Sequence, residues 1–188
     1  MIFGDFVRPA RSSAHAQWIR NECCGEPGTV ASLVPARFPR ILRVSAPAHV
    51  PGDWWTEYQR LFSLVAAVGE HYTATVNDAW FAIWEGHGFD VSESEELNLI
   101  PRLRLPDRTY LLVEGAVSAV STLSYPGFEG WRNPDLFWPD DQRWFVATDV
   151  DFWSLYVAGE EDLITALQAR AWTSTELVGR SSQLRLEV

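Results

Sequence analysis

Apolar and polar positions change rhythm several times along this chain, and the changes divide it into elements. The clearest rhythm lies over residues 54–71. There Trp54, Tyr58, Leu61, Phe62, Val65 and Val68 recur at spacings of three and four, which places them on one face of a helix. Pro51, Gly52 and Asp53 form a turn before it, with Asp53 as N-cap. Residues 14–22 predict a shorter helix, capped by Ser12 or Ser13 and stopped by Gly25 and Pro27. Glu160, Glu161 and Asp162 open a helix over residues 160–170, because acids in a first turn favour the positive end of the helix dipole. Residues 117–123 predict a further short helix.

Strand rhythms fill much of the rest. Residues 41–46 alternate up to Pro47, residues 79–84 are nearly all apolar, and residues 99–105 and 109–113 form a hairpin about Pro106, Asp107 and Arg108. Residues 143–150, 29–34 and 173–178 complete the set, and residues 152–157 read either as a continuation of the strand before them or as a bend. The acidic, serine-rich stretch over residues 90–98 reads as a solvated loop. Residues 124–142, rich in Pro, Gly, Asn and Trp, read as one long irregular segment, a kind that often carries function. Strands and helices do not alternate as βαβ units. The expected class is therefore α+β, with an antiparallel or mixed sheet and helices packed on one face. The 188 residues suit one domain over 1–188, with 1–28 as an N-terminal helical extension.

Charge narrows the functions. With a net charge of -10 the chain lacks the basic face that displaces phosphate counterions, which disfavours nucleic acid as a partner. The loose clusters Arg37, Arg40, Arg43 and Arg102, Arg104, Arg108 are read as pairing with the acidic excess. Every basic residue is arginine, which excludes Schiff-base and P-loop lysines. Cys23 and Cys24 are adjacent, where a bridge is strained, and no second pair exists to complete a zinc site. They read as thiols in a reducing compartment. No signal-like start and no apolar stretch of membrane-spanning length is evident. The expectation is a cytoplasmic protein with no membrane partner.

Candidate chemistry is sparse. There is no Gly-x-Ser-x-Gly, and Gly86-His87-Gly88 lacks the rest of a dinucleotide fingerprint. No cofactor is expected. Asp149 and Asp151 flank Val150 at the end of a predicted strand, so they share a face. Glu85 ends another strand, and with His87 in its turn it lies on the same rim if the two strands are neighbours. Such carboxylates can hold a cation or divide acid and base roles. The more economical reading is that they end strands and pair with arginine. A second group is aromatic and acidic. Trp131 and Trp138, on the irregular segment, stand near Asp140 and Asp141 and are candidate anchors for a basic protein partner. Residues 144–150 are assigned to a core strand.

The run Trp80-Phe81-Ala82-Ile83-Trp84-Glu85-Gly86 and the run Asp135-Leu136-Phe137-Trp138-Pro139-Asp140-Asp141 carry a resemblance. So do the segment from Trp144 to Asp151 and the run Ser154-Leu155-Tyr156-Val157-Ala158-Gly159. Together they resemble uncharacterised cytoplasmic proteins of actinobacteria, over roughly residues 29–170. That group has no assigned activity, so the resemblance implies no catalytic residue.

Two functions remain in view. One is a non-enzymatic binding protein, for instance an immunity-type inhibitor of a basic toxin, since acidic surfaces steer basic partners. The alternative is a small-ligand-binding protein or metal-assisted hydrolase using Glu85, Asp149 and Asp151. A subunit of a homo-oligomer fits the aromatic richness equally well.

Overall fold

The computed structural model describes residues 3–4, 6–46, 54–88, 95–125, 128–150, 152–170 and 173–185. Asp53, Asp151 and the acidic stretch before Glu95 lie outside the described residues. The strands are β1 (Val7–Pro9), β2 (Arg40–Ser45), β3 (Ala79–Trp84), β4 (Arg102–Arg104), β5 (Thr109–Gly115), β6 (Leu136–Pro139), β7 (Trp144–Ala147), β8 (Ser154–Gly159) and β9 (Ser174–Leu177). They form one sheet in the order β1-β5-β3-β6-β7-β8-β2-β9. β4 lies beside β1 on the outer edge of β5. Every pairing is antiparallel.

The central strands β6, β7 and β8 are buried at every position. That pattern requires cover on both faces, and the chain supplies it. On one face α3 (Trp54–Gly69) and α5 (Glu161–Gln168) lay Leu61, Phe62, Val65 and Ile164 on Phe81, Phe137 and Val146. On the other, α1 (Gln17–Glu22) and α2 (Val30–Leu33) lay Ile19, Val30 and Leu33 on Trp138, Phe145 and Tyr156. The remaining helix, α4 (Glu95–Asn98), is a single turn. The fold is α+β with a large antiparallel sheet, as expected. Helices on one face only is corrected: residues 14–34 form the second layer, because a sheet this apolar cannot leave a face wet.

Four elements differ from the sequence reading. Glu95–Asn98, within the stretch read as a solvated loop, is α4, because Leu97 turns into the core. Residues 29–34 are helical at Val30–Leu33, since a short apolar run has no period to separate strand from helix. Residues 117–123 form a 3-10 helix, Val117–Thr122. β6 lies inside the segment read as irregular. Buried on both faces, it shows no alternation, and Pro139 stands at its end. Cys23 is buried and unbridged, and burial pushes its thiol up to about 12, while Cys24 is exposed. No described helix is long and apolar enough to cross a membrane.

One close approach tests this packing. Trp144 donates from Nε1 to the Gly69 carbonyl at 3.0 Å, and its ring carbon Cζ2 would lie 2.8 Å from a Cβ added at Gly69. Alanine for glycine in a helix ordinarily gains up to about 1 kcal/mol. Here Trp144 is buried against Phe137 at 4.9 Å and has no room to retreat. Gly69→Ala is expected to destabilise the protein by roughly 1–3 kcal/mol in urea denaturation, the range for overpacking. A gain in stability would show that the ring can yield.

Candidate functional site

The topology divides the candidate residues between two ends of the sheet. β3 and β7 run in one direction and β6, between them, in the other. Glu85, His87 and Asp149 therefore gather with Asp135 at the start of β6, and Asp140 and Asp141 follow its end. Asp135 and Asp140 are separated by the length of that strand, about 17 Å at the rise of an extended chain.

Asp135 is the buried centre of the first end, at 1% exposure. Its Oδ2 accepts the Trp84 N–H at 2.7 Å and lies 3.0 Å from His87 Nε2. In that contact the Nε2–H tautomer of His87 donates. Its main chain joins the neighbouring strands: the N–H donates to Ala82 and the carbonyl accepts from Thr148. Tyr58, Tyr110 and Tyr125 surround it. Burial raises all three hydroxyls well above the ordinary tyrosine value, and the charge of Asp135 adds to this. Tyr58 shares a 2.6 Å hydrogen bond with Thr148, and Tyr125 donates to the Asn133 carbonyl.

The other candidates at this end are occupied internally. Asp149 pairs with Arg108 at 2.6 Å, and that guanidinium lies 4.6 Å from the centre of the Trp84 ring. Burial opposes the charge of Arg108, but Asp149 and its other neighbours outweigh burial and raise its pKa. Glu85 pairs with Arg102 at 2.9 Å. Gly88 closes the turn after His87 with φ +91°, a conformation that suits glycine. Trp131 is half-buried, donates to the Val120 carbonyl at 2.7 Å and packs on Phe62. It is part of the core's margin and not a free anchor. Among the described residues, no three His, Cys, Asp or Glu side chains group as a metal site.

The second end is open. Gln142 donates its N–H to the Pro139 carbonyl at 2.9 Å and takes the left-handed conformation, φ 57°. This tight turn sends Asp140 and Asp141 to opposite sides. Asp140 accepts from the Trp80 indole at 2.9 Å and lines a groove of about 540 Å³ with Arg8, Arg11, His15, Asp78 and Glu114. Asp141 accepts the Ala74 N–H at 2.7 Å and lines a second groove of about 410 Å³ with His71, Arg143, Glu160 and Asp162. Trp138 faces neither groove. It is 0% exposed, flanked by Trp80 and Phe145, so its place as a surface anchor is corrected to core.

Arg37 ties this turn to the N-terminal layer. It donates to Glu22 from Nε and Nη2 and to Gln142 Oε1 from Nη1, and it lies 4.2 Å from the centre of the Trp18 ring. The hydrogen bond from Arg37 lowers the pKa of Glu22 below the ordinary range, against the opposing effect of burial. Sequence reasoning missed Asp135 and the groove residues His15, Asp78, Glu160 and Asp162. Sheet register brings Asp78, Glu160 and Asp162 near Asp140 and Asp141, and the docking of the N-terminal turn brings His15. The chain matches no family model, no curated protein and no solved structure.

Two expectations follow for the turn and its clamp. Gln142→Gly and Gln142→Ala both lose the Arg37 contact, but only glycine relieves the left-handed backbone. The glycine variant should be the more stable by about 1 kcal/mol in thermal or urea unfolding; equal stabilities would contradict a strained Gln142. A depressed carboxylate pKa contributes stability that is present above the unfolded value, about 4.3, and is lost as pH falls through the folded one. Glu22→Gln should therefore be less stable than the parent near neutral pH, with the gap closing below about pH 4. A gap independent of pH would sink the assignment.

Proposed function

We propose that this is a non-enzymatic binding protein that takes a basic protein partner at the Asp140–Asp141 end of its sheet. The observation that carries the reading is the meeting of Asp78, Asp140, Asp141, Glu160 and Asp162 in and beside two grooves. Carboxylates set together in concave surfaces focus their field, which speeds encounter with a basic partner and penalises an acidic one. An immunity-type inhibitor of a basic toxin is one form such a protein takes. The resemblance to actinobacterial cytoplasmic proteins adds a cytoplasmic setting to the proposal. The carboxylate-based hydrolase is less well supported. Glu85 and Asp149 are each held by an arginine, so using either as a base or ligand would first break an ion pair.

Pull-down from native lysate with charge-matched variants tests the reading. Asp140→Asn/Asp141→Asn/Asp162→Asn removes charge at the grooves, and asparagine keeps an acceptor oxygen for Trp80 and Ala74. Glu95→Gln/Glu96→Gln/Asp107→Asn removes the same charge at exposed positions elsewhere. The expected result is a retained basic protein that the first variant holds at least about tenfold more weakly and the second holds as the parent does. Equal retention by both variants, or an acidic captured protein, would overturn the proposal.

A further inference from the structure

The geometry points to a seat for a planar cation in the larger groove, of the kind an arginine side chain presents, formed by the face of Trp80 and the carboxylate of Asp140. The chain's own His15 now fills it. This inference rests on the proposed acidic binding end and names the group that end would take.

Trp80 is a fixed floor. It lies in β3, is buried, and runs nearly parallel to Trp138, with ring centroids 6.3 Å apart and planes 7° apart. Its indole Nε1 holds Asp140 Oδ1 at 2.9 Å, so floor and carboxylate keep one relative position. His15 stacks on this floor at 5.2 Å and 15°, with Nδ1 3.6 Å from the same Asp140 oxygen. It comes from the 3-10 turn Ala14–Ala16, and its side chain is 60% exposed. Among the described residues, Trp80 and Asp140 are its only ring and ionic partners. An exposed ring held by one stacking contact and one long polar contact is a replaceable cover.

The charge around the groove selects the replacement. Arg8 and Arg11 face Glu114, at 2.8 Å and 3.8 Å. Three carboxylates, Asp78, Asp140 and Glu114, stand against these two guanidiniums, which leaves a surplus negative charge at Asp78 and Asp140. A neutral ring would satisfy the floor and not the carboxylate. An ammonium would satisfy the carboxylate and use the floor poorly. A guanidinium does both, because it is flat, charged and able to donate along its edge while stacking. The 540 Å³ volume and the exposed Phe6 at its wall leave space for the stem of the side chain.

The experiment is a titration of the ¹⁵N-labelled full chain with N-acetyl-triarginine amide and N-acetyl-trilysine amide at low salt, following the Trp80 indole N–H signal. The arginine peptide is expected to move that signal and to bind about threefold or more tightly than the lysine peptide. His15→Ala, a surface change, should tighten binding of the arginine peptide. Asp140→Asn should weaken it about fivefold. Equal binding of both peptides with the Trp80 signal unmoved, or an affinity indifferent to His15→Ala, would overturn the seat and leave the acidic end standing. Failure of both peptides to bind would overturn the seat and the acidic end together.

Discussion

Burial of the sheet on both faces is the constraint from which the rest of this molecule follows. In β6, β7 and β8 every side chain goes into packing, so those strands have none to offer to solvent. Polar chemistry is thereby driven to the strand ends, and the two ends take different characters. The helical layers are consequences of the same constraint. Without residues 14–34, Trp138, Phe145 and Tyr156 would face water, so that segment is as much a part of the core as α3.

The Asp135 end shows how a charge can be kept inside such a structure. Its carboxylate meets a backbone N–H and a histidine, and its own peptide groups reach the strands on either side. A carboxylate so placed joins β3, β6 and β7 at the point where β6 begins. Removing one of these donors would leave a buried acceptor unsatisfied, which costs more than a hydrogen bond contributes. The tyrosines around it keep their protons because burial and the neighbouring negative charge act in the same direction. This end is structural in its chemistry. The Asp140 end, which shares the same strand, turns its carboxylates outward.

What the sequence made legible is what repeats locally. The spacing from Tyr58 to Val68 marked the buried face of α3, and the acids at 160–162 marked the start of α5. The pairing of Glu85 and Asp149 with arginine followed from the acidic excess. β6 was hidden because Leu136, Phe137 and Trp138 are apolar without alternation, among prolines and glycines that read as loop. Asp140 and Asp141 were visible as a pair, but their divergence was not. It depends on positive φ at Gln142, and glutamine carries no sequence signal for that conformation. His15 and Asp78 join Asp140 only through the register of β3 on β6 and the docking of the N-terminal turn.

The strand order also sets a timetable. Among the described residues, β1, β2 and β3 do not pair with one another: β1 waits for β5, β3 for β5 and β6, and β2 for β8 and β9. On a ribosome adding on the order of ten residues per second, β2 therefore stays without a hydrogen-bonded neighbour for roughly ten seconds. Until β5 is made, the nascent chain carries β1, β2 and β3 with no partner within the part already made. From then on β1 and β3 to β7 can pair as they are made, while closure of the sheet through β2, β8 and β9 falls to the final stretch of the chain, where the longest-range pairing of β2 is formed.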